Sequence, residues 1–395
     1  MFNSYFNGRG SLYVFSIFLL YIVPVLTSQA INFDIGGAGS IGLEGAGAVA
    51  EYLVLWTVAV VSFMLGMGSI RGSVALALPR HAVKSIAGLL MVVGPATIAT
   101  KVLLQRQGVY ESYAFDSGQM SGGVWTFSMA LAEIDLYLFA ASLLLKNAKL
   151  TAACLFLVAL NLIHGTRIFA AGAISISYFF WISTHQISLK KFMAMVVSVF
   201  LVVGLGMVIF IFRSHVEIDY SQYDQLFKYF ISPIVYESLF SQLALIDFAN
   251  GLKINFVCSP IDYYFDVLGF IVPRILNPDK DALCISYLDD LQPLGALNGV
   301  FAVYAYFGTF SFVLFGLFGF IGRAFFRFGR RNYYAMTLSL YFSGSIVLRL
   351  VRDGPVYAMK FLSMAVFGCL SLFVIELMLE KLSLRKQGDR LYAGL

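Results

Sequence analysis

Charge is what this sequence has least of. Asp, Glu, Lys and Arg make up 12% of its 395 residues, where a soluble globular domain carries about 25%. A fold surrounded by water is therefore excluded. Alternating ten-residue strands are missing as well, which argues against a transmembrane barrel. There is no H-E-x-x-H, no C-x-x-C and no phosphate-binding Gly-rich loop, so nothing in the chain calls for a metal or a nucleotide cofactor. No basic run with interleaved aromatics occurs in a polar segment, and nucleic acid is not an expected partner. Only four cysteines are present. Cys154 and Cys369 fall within apolar runs and read as core residues. Cys258 and Cys284 share a polar segment, where an oxidising compartment would allow a disulfide; spacing gives no distance between them, so both states stay open.

What fills the space left by charge is apolar: 59% of the residues are hydrophobic and 38 are Phe. They gather in runs of about 17 to 25 residues, the length at which a helix crosses about 30 Å of hydrocarbon. The reading is an all-α polytopic membrane protein of about ten transmembrane helices: Leu12 to Ser28, Val49 to Gly68, Ser85 to Leu104, Val124 to Leu145, Leu150 to Ile163, Ile168 to Ser183, Phe192 to Phe212, Leu297 to Ile321, Tyr333 to Leu348 and Val356 to Leu379. The fifth and sixth are short and form a tight pair turning at "HGTR". Three parts follow: residues 1–212 with seven helices, a large loop over 213–296, and residues 297–395 with three helices and a tail.

Lys and Arg in the connections set the orientation. Arg9, Arg71, Arg80, Lys84, Lys146, Lys149, Lys190, Lys191, Arg323, Arg327, Arg330, Arg331, Lys381, Arg385, Lys386 and Arg390 all fall at one set of helix ends. These ends are expected in the cytoplasm, with both termini, and the loop over 213–296 is expected outside. The first run has a signal-peptide look, with "TSQA" as a weak cleavage site. Removing it would spoil an orientation that otherwise fits every loop, so it is kept as a helix.

Some cations break the positive-inside pattern. Lys101, Arg167, Arg349, Arg352 and Lys360 lie in or just beneath the outer ends of helices, and a Lys or Arg at a helix centre costs about 2.5 to 3.5 kcal/mol on insertion scales. Snorkelling to head groups accounts for one such residue more easily than for five at one level. In "VLRLVRDGPVYAMKFL", residues 347–362, Gly354 and Pro355 break the helix. Arg349 and Arg352 then lie three apart at a C-terminal end, and Lys360 stands about one turn into the next helix. The macrodipole favours the two arginines there but not Lys360. A phosphate or pyrophosphate is the natural partner of forks from several helices, and a helix-end position makes both arginines dispensable for folding.

The long loop mixes aromatics, Pro and Gly with the sugar-binding types Tyr263, Tyr264, Tyr287, Asp262, Asp266, Asp289 and Asp290. Asp289 and Asp290, being adjacent, read as solvated turn residues. Its stretch "SPIVYESLFSQLALIDFANGL" has helical apolar spacing and is expected at the membrane interface. A loop of about eighty residues inside such a chain is usually functional.

"FIVPRILNPDKDAL", then "GALNGVFAVYAYFGTFSFVLFGLFGFIGR", then "LRLVRDGPV" at the outer end of the next helix resemble the Wzy-type O-antigen polymerases, also called oligosaccharide repeat unit polymerases. "HGTRIFAAG" is similar to that family's Gly-x-Arg element at an outer helix turn. The resemblance runs from Leu150 to about Leu362, and the family's R-x10-G spacing departs at Tyr178.

The resemblance implies a metal-independent glycosyltransferase on the periplasmic face of a bacterial inner membrane. It would move a growing glycan from undecaprenyl pyrophosphate to the non-reducing end of a new lipid-linked repeat unit. Arg167, Arg274, Lys280, Arg349, Arg352 and Lys360 are the expected contacts to pyrophosphate or glycan. His215 and Glu237 are the expected proton acceptors, ahead of His164, Asp262, Asp266 and Asp353. Membrane lipid and a chain-length regulator (a polysaccharide co-polymerase) are the further partners implied. An O-antigen ligase would use the same donor with another acceptor. A lipid-linked oligosaccharide flippase would carry symmetric repeats and mid-membrane cations, neither of which is evident.

Overall fold

Hydrocarbon offers no water to a peptide group, and a helix satisfies its backbone within one segment. The computed structural model follows that rule. It describes residues 2–31, 42–106, 123–163, 167–185, 241–251, 258–272, 283–290 and 297–392. The helices are α1 (Arg9–Ile31), α2 (Gly45–Met67), α3 (Ala82–Arg106), α4 (Gly123–Leu145), α5 (Ala148–Ile163) and α6 (Arg167–Thr184). They continue as α7 (Leu243–Ala249), α8 (Pro260–Ile271), α9 (Cys284–Asp290), α10 (Gly299–Phe307), α11 (Ser311–Gly329), α12 (Tyr333–Tyr341), α13 (Val347–Asp353) and α14 (Pro355–Tyr392).

Among the described residues seven helices are long and apolar enough to cross a membrane, counting α10–α11 and α12–α13 as one each. The chain is a multi-pass membrane protein. The seven coincide with seven of the expected spans, while α5 and α6 are the short apolar pair. The span expected over Phe192 to Phe212 lies outside the described residues. Two helices outrun their apolar runs: α11 continues past Arg323 and Arg327, and α14 runs on to Tyr392.

Beside the helices stands one small sheet. β1 (Phe2–Asn7) pairs antiparallel with β2 (Arg71–Leu76), Phe2 opposite Leu76 and Asn7 opposite Arg71. Both strands are only six residues long, too short to stand out beside the helical runs. Their alternation is nonetheless plain, with Phe6, Val74 and Leu76 buried and Tyr5 and Ala75 exposed.

This sheet organises one end of the bundle. Ala75 N–H donates to the Arg330 carbonyl at 3.1 Å, and Arg330 Nη2 donates back to the Arg71 carbonyl at 2.5 Å. Tyr333 donates to the Ala141 carbonyl at 2.8 Å. Glu376, inside α14, accepts from His81 N–H at 2.7 Å and Ser85 Oγ at 2.8 Å, so its charge meets the positive start of α3. Arg71, Arg80, Lys146 and Arg330 therefore share one end. Between the ends, α2 and α11 approach closely enough that a Cβ on Gly319 would collide with the Phe63 carbonyl. Such small-residue seams let helices pack where lipid supplies no hydrophobic drive.

The long loop returns to the other end. Asn250 accepts from Glu44 N–H at 2.7 Å and donates to the Gly42 carbonyl at 2.9 Å, which fastens α7 to the start of α2. Gln242 accepts from Tyr52 and donates to the Tyr21 carbonyl. Of the helix expected in "SPIVYESLFSQLALIDFANGL", residues 232–240 lie outside the described residues; Leu243–Ala249 is helical, with Ala244, Leu245 and Ile246 buried inside the protein.

Candidate functional site

The α13–α14 junction forms as its sequence requires. Gly354, at φ 87°, takes the left-handed turn that ends α13, and Pro355 opens α14. A Cβ on Gly299 would strike the Leu350 carbonyl, so the start of α10 lies against this same end.

Beneath the junction is a buried ionic network that spacing in the sequence does not show. Glu133, on α4 and fully buried, accepts from Arg349 Nη2 through one oxygen and from the Tyr341 hydroxyl through the other. Arg349 Nη1 donates to Asp353 Oδ2 at 3.3 Å, and Arg352 Nη1 donates to Asp353 Oδ1. The Arg349 guanidinium also lies 4.9 Å from the Phe169 ring and 4.1 Å from the Phe361 ring. Lys360 Nζ stands 5.9 Å from that same Phe361 ring and 5.4 Å from Phe270 of α8. Two carboxylates, two guanidinium forks, an ammonium, a tyrosine hydroxyl and three phenylalanine rings thus form one connected cluster.

A helical irregularity makes this possible. On a regular α-helix, residues eight apart stand about 80° from each other around the axis. Phe342–Ile346 is one π-helical turn, which takes up an additional residue and brings Tyr341 and Arg349 to within about 20° of alignment. Both then reach Glu133.

Arg349, Arg352 and Lys360 are brought together. Arg349, however, is 4% exposed and held by two acids, so dispensability for folding is corrected: helix-end position said nothing about burial. Arg352 keeps 21% of its side chain open and Lys360 is half-buried. Arg167 opens α6, whose Phe169 touches Arg349; its own side chain lies outside the described residues, as do His164, His215, Glu237, Arg274 and Lys280. Lys101 is turned inward, donating to Ser128 Oγ at 2.7 Å, on the same two helices as an Asp135 that accepts from Thr97 at 2.9 Å. Glu133 and Asp135 are not among the residues expected from the sequence, where the reading of the spans rests on their cations alone. Their signal was visible: two acids inside the apolar run "LAEIDLYLF".

Three acids read as proton acceptors have structural partners. Asp353 joins the two arginines. Asp262 closes a capping box with Ser259 at the start of α8. Asp266, 1% exposed, accepts from Cys284 N–H at 3.1 Å, Ile285 N–H at 2.8 Å and the Tyr306 hydroxyl at 2.5 Å. Burial raises the Asp266 carboxyl above the ordinary carboxylate range, against the pull of these donors. Cys258 and Cys284 are joined as a disulfide, with Cα atoms 5.9 Å apart, and staple the same two helices. Tyr263 is buried against Tyr306 and Phe307, while Tyr264 is exposed. Tyr287, Asp289 and Asp290 belong to α9 rather than to a turn, with side chains outside the described residues.

Replacing Asp266 by Ala should loosen this loop unit alone. Three donors lose their acceptor, at about 1 to 3 kcal/mol for buried unsatisfied groups. Amide hydrogen exchange should rise in α8 and α9 and stay unchanged in α4 and α11.

Comparison with protein families, with curated proteins and with solved structures gives no match.

Proposed function

We propose that this chain is a membrane glycosyltransferase that polymerises oligosaccharide repeat units carried on undecaprenyl pyrophosphate, at the periplasmic face of a bacterial inner membrane. In this reading the end holding Arg71, Lys146 and Arg330 is cytoplasmic and the loop end faces out. The observation that carries the reading is the placement of Arg352 and Lys360 on either side of the Gly354–Pro355 break, half-open, above an Arg349 fixed by Glu133 and Asp353.

Chemistry assigns the roles. An acceptor hydroxyl oxygen bonds to the anomeric carbon as the bond to the pyrophosphate oxygen breaks. Pyrophosphate leaves with the electron pair, and the hydroxyl gives up its proton. Arg352 and Lys360, with Arg167, Arg274 and Lys280 as further candidates, stabilise the charge growing on the leaving group. His215 and Glu237 are the candidates for accepting the proton. Arg349 does not grip substrate here; it positions Asp353 and, through it, Arg352.

The test is the lipopolysaccharide pattern of a strain lacking this chain. A missing polymerase leaves lipid core bearing a single repeat unit, because export and ligation continue. Bare core instead would point to a ligase or flippase and overturn the proposal.

A further inference from the structure

α8 carries a stripe that its own docking does not use. Ile261, Tyr264, Phe265 and Leu268 fall at i, i+3, i+4 and i+7, one face of a helix, and are 66%, 62%, 63% and 61% exposed. Tyr263, Asp266 and Gly269 are buried on the opposite face. A free amphipathic helix turns its polar face to water; here that face is spent on the protein. The α8 acids are Asp262, closed in the capping box, and buried Asp266. The stripe itself bears no charge.

The position of α8 against the spans is fixed at both ends. Near its start, Tyr263 packs edge-to-face with Tyr306 and Phe307 at 5.6 and 5.4 Å, Asp266 takes the Tyr306 hydroxyl, and the Cys258–Cys284 disulfide joins it to α9. Near its finish, Phe270 meets Tyr357, in the first turn of α14, at 5.2 Å. α10 begins against Leu350, close to the end of α13, and leads through Gly308–Phe310 into α11. Packed on α10 and on the first turn of α14, α8 therefore lies at the loop end of the bundle, where α14 begins. The apolar surface continues beside it: Phe307 is followed by exposed Phe310, Phe312 and Val313 at the top of α11.

We infer that the Ile261–Tyr264–Phe265–Leu268 face of α8 is inserted into the acyl chains of the leaflet at the loop end, as an interfacial helix held permanently in place by its protein-facing side. Its occupant is bilayer lipid, because the stripe is uncharged and continuous with the lipid-facing surface of α11. Phe270, and the Lys360 ammonium on its ring, are thereby set at head-group depth. The inference holds for any activity of the protein, glycosyl transfer included.

Single cysteines at Ile261, Tyr264, Phe265 and Leu268, in a Cys154→Ala, Cys369→Ala background with the disulfide intact, test it. The full chain is reconstituted into phosphatidylethanolamine and phosphatidylglycerol vesicles and labelled with an environment-sensitive fluorophore. Met91→Cys, 78% exposed on α3, serves as the lipid-facing reference. Brominated acyl chains should quench all four labels as strongly as the reference, and aqueous iodide should leave at least three untouched. Iodide access at two or more positions overturns the inference, and so does protection from both quenchers, which would mean that protein covers the stripe.

Discussion

Replacing Arg349 by Ala should keep the protein from accumulating in folded form. The change strands Glu133, fully buried on α4, with only the Tyr341 hydroxyl for a partner, and takes from Asp353 one of its two cations. Breaking a buried pair by removing one member costs about 3 to 5 kcal/mol, because the remaining charge has lost both water and its partner. That is a large share of the roughly 5 to 15 kcal/mol that holds a domain together. Size-exclusion of detergent extracts should show aggregate or nothing at the monodisperse position of the parent protein. The paired variant Glu133→Gln with Arg349→Met should recover a folded peak, since it removes both charges and keeps the volume filled. Normal accumulation of Arg349→Ala, with an unchanged melting temperature, would show that the network is not what fixes α13 to α4.

The same residues show how far the sequence could be read. Membrane architecture was legible because apolar length is a one-dimensional property: seven spans can be counted without knowing what packs on what. The grouping of Arg71, Lys146 and Arg330 at one end was legible for a similar reason, since charge in short connections follows the chain. The α13–α14 break was written in two adjacent residues, Gly354 and Pro355. What escaped were pairings across the bundle. Glu133 and Arg349 are 216 positions apart, and their contact depends on a π-helical turn with no clear mark in "FSGSI". Once that turn is in place, an arginine that looks like an open clamp becomes the cation of a buried pair. Cys258 and Cys284 posed the same problem on a smaller scale: the sequence supplied two thiols in one loop, and only the docking of α8 on α9 through Asp266 brings them within bonding range. The exposed apolar stripe stands on α8, while the described part of the expected segment, α7, is buried. Apolar spacing exists in both α7 and α8, and only tertiary contacts decide which face is covered.

Arg352 is where the glycosyl-transfer proposal meets its sharpest test, because its removal should separate function from folding. It shares Asp353 with Arg349, so Arg352→Ala leaves that carboxylate a cation 3.3 Å away, and its side chain is already partly open. Because Asp353 stays paired, the cost should fall well below the ~3 to 5 kcal/mol of stranding a buried charge. The variant should therefore insert, accumulate and melt close to the parent protein. If the guanidinium stabilises a departing pyrophosphate, long-chain polymer should nonetheless fall by about tenfold or more, the consequence of losing roughly 1.4 kcal/mol from the transition state. Core carrying one repeat unit should increase in its place. Arg352→Lys should restore only part of the ladder, because an ammonium is a point charge and cannot present two parallel donors to phosphate oxygens. Arg349→Ala cannot make this distinction, since it loses the protein along with the polymer. A normal ladder from Arg352→Ala would mean that Arg352 merely holds Asp353 in place, and the leaving-group role would then pass from the α13–α14 junction to cations elsewhere in the loop, Arg274 and Lys280 first among them.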